Sequence, residues 1–209
     1  LSAQPGAIGS KSWHAAGQTG IEPGWFTTGT DAQHLHVATP YTTGASPASG
    51  AGQITLASGD YLLDGTLALS GIGKVISTGK ARLYVTGNIT LTGNSHIEIQ
   101  PGASLEIFLG GSNAFLGGQG IRNLTGKPRN FIYWGLNSNT FLSFMLPSSF
   151  MGTIYAPHAQ VTLGGGGDST YEFSGALVAE SVNLNGRINL HYDEALALDL
   201  KNWTRGQTT

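Results

Sequence analysis

LALSGIGKVISTGKARLYV, residues 67–85, is followed after Thr86, Gly87 and Asn88 by ITLTGNSHIEIQPGASLEI, residues 89–107, and these two stretches decide the fold. Laid one over the other, Leu67, Leu69, Gly71, Val75, Ala81, Leu83 and Val85 meet Ile89, Leu91, Gly93, Ile97, Ala103, Leu105 and Ile107 at one constant shift of about 22 residues, within the range that marks repeat architectures. Within each copy the apolar residues alternate with polar ones over four to six positions, the pattern of a strand with one face buried. The pattern runs outward on both sides as QITLA, GTLALS, ARLYV, NITLT, HIEIQ and SLEIFL, with Gly, Asn, Pro and Ser punctuating each run. A second echo lies further on, where GTIYAPHAQVTLGG (152–165) matches GALVAESVNLNG (175–186) once a small gap is allowed.

A strand-bearing period of about 22 residues is too short for a βαβ unit, which needs roughly 30 residues with its helix. It suits one coil of a parallel β-helix, in which inward Leu, Ile and Val stack on their equivalents in the next coil and Gly or Asn turns the corners. The competing architecture is an antiparallel β-sandwich or jelly roll. It should show two-residue Asn-Gly hairpin turns between strands, yet the clearest Asn-Gly, Asn185–Gly186, comes only near the end.

Composition agrees with stacked coils. Charged residues make up 11% of the 209, against an average of about 25%, and there are 32 glycines. Side chains on neighbouring coils face each other across about 4.8 Å, where like charges repel but Thr, Ser and Asn ladders are tolerated. With a formal net charge of −2 there is no basic surface for nucleic acid, and no stretch of 18 apolar residues crosses a membrane. The absence of Cys removes disulfides, thiol nucleophiles and Cys-bound zinc. Leu1–Pro5 carry no basic region followed by an apolar one, which is compatible with an exported chain whose signal has been removed.

Three regions follow: an irregular N-terminal segment (1–52), the β-helix (53–192) and a C-terminal cap or tail (193–209). The first is rich in Gly, Ala, Thr and Pro, carries Trp13, Trp25, Phe26 and Tyr41, and ends in the bland stretch TTGASPASGAG (42–52). It is read as a cap or a subunit-joining arm. In the last, Leu196, Leu198 and Leu200 alternate like a strand while Glu194 and Ala195 favour helix.

FIYWG (131–135), MGTIYAPHAQVTLGGGG (151–167) and FSGALVAESVNLNGRINLHYDEAL (173–196) resemble a β-helical domain of bacterial exported and pilus-assembly-associated proteins, the PilX-like and polymer-forming surface proteins. The resemblance covers roughly residues 55–196. It implies a right-handed parallel β-helix outside the cytoplasm, extracellular or on the cell surface, and no established catalytic residue.

Candidate sites are few. His34 and His36 project from one face if residues 33–37 form a strand and so begin a metal site, but a third ligand would have to converge from Asp31, His14, His158 or His191. Trp25, Tyr133 and Trp134 are candidates for stacking on sugar rings, and of the adjacent pair Tyr133 and Trp134 one must point outward from a strand. His191-Tyr192-Asp193-Glu194 reads as acid/base chemistry or as a polar cap closing the last coil. The glycine runs 117–120 and 164–167 lack the Lys and Ser/Thr of a phosphate loop and read as corners. The acids of the repeats, Asp60, Asp64, Glu98 and Glu106, form no evident catalytic pair. The expectation is therefore an exported structural or adhesive solenoid without catalytic residues or cofactor. Such a subunit joins its own copies or other surface or pilus proteins, growing into a head-to-tail filament if residues 1–50 complete a neighbour's coil. The alternatives are a carbohydrate-binding module and a polysaccharide-active β-helix enzyme.

Overall fold

Alternating residues bury one side of each extended run, and the runs become strands. The computed structural model describes residues 32–34 (backbone only), 52–63, 65–145, 149–164, 170–193 and 196. The strands are β1 (Ala32–His34), β2 (Gln53–Leu56), β3 (Gly59–Leu63), β4 (Leu67–Leu69), β5 (Lys74–Ser77), β6 (Lys80–Val85), β7 (Ile89–Leu91), β8 (His96–Ile99), β9 (Ser104–Leu109), β10 (Asn113–Leu116), β11 (Gly120–Asn123), β12 (Phe131–Gly135), β13 (Phe141–Phe144), β14 (Ser149–Leu163), β15 (Thr170–Leu184) and β16 (Arg187–Tyr192). Every described strand pair is parallel, which excludes the sandwich. The chain is a β-solenoid of about six turns.

Each turn lays strands on three faces. The first face runs β2, β5, β8, β11, and the second runs β1, β3, β6, β9, β12 and the start of β14. The third runs β4, β7, β10, β13 and the end of β14. Two 15-residue strands, β14 and β15, serve the second and third faces without a break, and the register between them slips between Ala156 and Gln160. Pro157, which has no N–H for a ladder, sits at that irregularity. The slip is the gap that the sequence match of 152–165 with 175–186 requires.

Inward side chains form continuous columns. Tyr61, Leu83, Ile107, Tyr133 and Ile154 stack in register on the second face, and all are buried. Ile54, Val75, Ile97 and Ile121 do the same on the first. Each fully buried Leu, Ile or Val contributes about 1.5–3 kcal/mol relative to exposure. At the corners, hydroxyls replace missing ladder bonds: the buried Ser77 Oγ lies 3.0 Å from the carbonyl oxygens of both Gly79 and Ser104.

One sequence expectation needs correction. Leu67, Leu69 and Val75 do stack on Ile89, Leu91 and Ile97, but Ala81, Leu83 and Val85 meet Leu105, Ile107 and Leu109, two residues beyond the expected partners. The cause is a wider corner in the later coil. The Ala103 N–H donates to the Gln100 carbonyl at 3.0 Å, and Gly102 supplies the positive φ of +83° that closes this turn. Side chains alternate with period two, so a two-residue insertion changes the register while leaving every inward residue inward.

Strand β1 falls in the segment expected to be irregular, where it adds a rung to the second face with Ala32 opposite Asp60 and His34 opposite Leu62. At the other end, Leu196 N–H donates to the Asp193 carbonyl at 3.0 Å. The choice between strand and helix for residues 194–200 otherwise lies outside the described residues. No helix among the described residues is long and apolar enough to cross a membrane.

Candidate functional site

Two surfaces stand out: the outer side of the second face and the C-terminal end. On the outer side of the second face, register alone aligns two rows. The first contains Asp60, Arg82 and Glu106. Arg82 grips Asp60 with two guanidinium nitrogens, and Glu106 accepts a 2.9 Å hydrogen bond from the Trp134 indole N–H. The second row is apolar, running Leu62, Tyr84, Phe108, Trp134, Tyr155 and Val178. Phe108 and Trp134 stack at 6.2 Å with planes 7° apart, and Trp134 meets Tyr155 at 5.6 Å. Burial raises the Tyr155 phenol above its ordinary range.

The pair Tyr133 and Trp134 is thereby assigned. Trp134 faces outward and is half-buried, whereas Tyr133 is fully buried in the core. Tyr133 is therefore a correction to the proposed sugar-stacking set: strand alternation turns it inward, where its hydroxyl donates to Asn139 Oδ1 at 3.0 Å and burial pushes its phenol well up. Asn139, which the sequence reading did not single out, is buried and completes its valences by donating to the carbonyls of Ser112 and Phe141, each at 3.1 Å. Trp25, His36 and the side chain of His34 lie outside the described residues. Among the described residues no three His, Asp or Glu side chains come together as a metal site.

The acids are engaged one by one rather than in pairs. Glu98 lies on the outer side of the first face, 3.4 Å from Arg122 and accepting from the Gln100 amide at 2.6 Å. His191 meets Glu172 at 2.6 Å instead of its sequence neighbours, and Asn189 donates to the same carboxylate at 2.8 Å. The Asn189 amide first, and the His191 ring second, hold the Glu172 carboxyl below its ordinary range. These contacts tie β16 to β15 on an exposed surface.

The C-terminal end is the second surface. Val182 and Leu184 stack in register on Val161 and Leu163, yet they are 46% and 45% exposed where their partners are 1% and 0%. Leu190 and Tyr192 of β16 are also exposed. Among the described residues strand β16 pairs only with residues 170–175 of β15. Residues 176–184 are bonded to β14 along one edge, and among the described residues nothing pairs with the other. In the sequence, VNLN (182–185) looks like any inner rung; only its place in the last repeat distinguishes it.

Fold and surfaces together define a parallel β-solenoid with engaged polar contacts along its faces and, among the described residues, an apolar edge at β15 that no strand pairs. The chain belongs to the family of the domain of unknown function DUF7305, whose model matches residues 29–198. Neither a search of curated proteins nor one of solved structures found a match.

Proposed function

We propose that this solenoid is a structural or adhesive subunit, exported to the cell surface or to a pilus-like assembly, that works by docking its C-terminal end. The observation that carries the reading is that end: two core columns finish in the exposed Val182 and Leu184 beside a strand edge that nothing among the described residues pairs. Unpaired edges with apolar flanks recruit further strands. The small number of ionisable groups, each described acid of the repeats being held by a cation or a donor, supports a mechanical role over acid/base turnover. The resemblance to exported surface proteins supports the location. Sedimentation velocity of the wild-type chain over a wide concentration range tests the docking: a coefficient that rises with concentration supports it, and one that stays at the monomer value contradicts it. Protease shaving of intact cells tests display, with cleavage of the protein expected and full protection contradicting it.

Glycan binding is the second reading, favoured by the outward row around Trp134 and Tyr155. Both rings are partly exposed and stand beside the polar row of Asp60, Arg82 and Glu106. Binding on a glycan array that is lost in Trp134→Ala would favour this reading over the structural one.

A further inference from the structure

We infer that Asn185 is a site of spontaneous covalent modification, where the side-chain amide closes on the Gly186 backbone nitrogen to a succinimide that water opens to aspartate or isoaspartate. Asn185–Gly186 is the one Asn-Gly pair in the sequence. In a hairpin such a pair makes a tight turn between antiparallel strands. Here it joins two parallel strands, β15 and β16, and both residues are exposed. Gly186 lies outside the strands with a φ of +108°, and among the described residues its N–H makes no hydrogen bond. The Asn185 side chain makes none either, while its own N–H donates to the Leu163 carbonyl at 2.8 Å. Nucleophile and electrophile are adjacent, solvated and unengaged, and glycine has no Cβ to hinder their approach. Other asparagines are held or hindered. Asn88 accepts from the Asn113 N–H at 3.0 Å, Asn123 donates to the carbonyls of Lys127 and Met151, Asn139 is buried, and Asn189 donates to Glu172. Asn94 and Asn137 are exposed, but each is followed by a serine whose Cβ crowds the amide, and the Ser95 N–H already donates to the Thr92 carbonyl at 3.3 Å.

The chemistry balances with water alone. The Gly186 nitrogen gives its proton to solvent and bonds to Asn185 Cγ, and the side-chain nitrogen takes up a proton and leaves as ammonia. Water then opens the ring at either carbonyl. Breaking the Cγ–N bond gives aspartate, whereas breaking the bond to the main-chain carbonyl carbon gives isoaspartate, whose main chain runs through Cβ and Cγ and is longer by an atom. The corner has no slack for that atom. The Asn185 carbonyl oxygen packs so closely over Gly164 that a Cβ on Gly164 would run into it. Register sets Leu184 on Leu163 before the corner and Arg187 on Thr170 after it, and a longer chain cannot keep both pairings. Strand β16 is the one that gives, because its described pairing is with residues 170–175 alone and Leu190, His191 and Tyr192 are exposed. Isoaspartate at position 185 thus acts as a slow, one-way release of β16 from Thr170–Gly175.

The test incubates the full chain, dilute and at mildly alkaline pH, and samples it over time. Fragmentation mass spectrometry reads the exchange of amide for acid at each asparagine and separates aspartate from isoaspartate. Hydrogen exchange reads the β16 amides that donate to β15. The expected result is conversion at Asn185 several-fold faster than at Asn94 or Asn137, isoaspartate as the main product, and faster β16 exchange as it accumulates, with β6 and β9 unchanged. Asn185→Gln, which would have to close a larger ring, should keep β16 protected through the same incubation. If that variant fails to fold by circular dichroism, Asn185→Ser, which has no side-chain carbonyl to attack, takes its place. Conversion at Asn185 no faster than at Asn137 would overturn the site. Conversion to isoaspartate that leaves β16 exchange unchanged would overturn the release.

Discussion

Tyr133 and Asn139 show what a single buried polar contact does in a solenoid core. The sequence marks Tyr133 only as one of two adjacent aromatics, and strand alternation leaves open which of them faces water. The structure turns it inward and gives its hydroxyl a partner six residues on, at Asn139, in the wide corner between β12 and β13. Tyr133→Phe keeps the ring and strands the Asn139 Oδ1, so chemical denaturation should show a loss of about 1–3 kcal/mol; no loss would mean that water reaches this corner. Glu172 makes a second residue-scale prediction. Its carboxyl is lowered in the folded chain, chiefly by Asn189, so its pairing stabilises the fold above the ordinary glutamate pKa of about 4.3 and is lost as pH falls through the lowered value. In an NMR titration, Asn189→Ala should move the Glu172 midpoint upward; an unchanged midpoint would count against the Asn189 contact. Neither partner was visible in the sequence, because both contacts depend on which residues the coil brings side by side.

At the scale of the element, strand identity was readable and register was only partly so. Alternation located the strands of the early coils, and the shift of about 22 residues matched the pairing of β4 with β7 and β5 with β8. It failed between β6 and β9, because the turn at Gln100–Ala103 lengthens the coil by an even number of residues. An even insertion leaves no trace in an inside-outside pattern. Two glycines separate the costs of such corners. Gly102 has a φ of +83° and open space around its missing Cβ, so Gly102→Ala should cost only backbone strain, about 1–2 kcal/mol. Gly175 has a φ of +145°, and a Cβ there would run into the Gly152 carbonyl oxygen of the coil below. Gly175→Ala should therefore lose clearly more stability than Gly102→Ala in the same urea series, and equal losses would contradict the close stacking of β14 on β15.

Among the described residues a long, buried set of columns runs into a last repeat whose Val182 and Leu184 are exposed. Low charge and abundant glycine, read from composition, have their cause in the stacking. The exposure of the last repeat was not legible, because residues 175–186 repeat the pattern of 152–165 and nothing in the pattern says that one is covered and the other exposed. The outward aromatic row escaped for the same reason: Tyr84, Phe108, Trp134 and Tyr155 stand far apart in the chain and meet only once the register is known. The central claim is that the edge of β15 is where this solenoid docks. Hydrogen exchange of those amides of residues 178–184 that point away from β14, measured in the wild-type chain in dilute and in concentrated solution, tests it most directly. The account expects fast exchange when dilute and marked protection when concentrated, with the amides of β6 and β9 equally protected in both. Exchange at 178–184 that is the same at every concentration would contradict it.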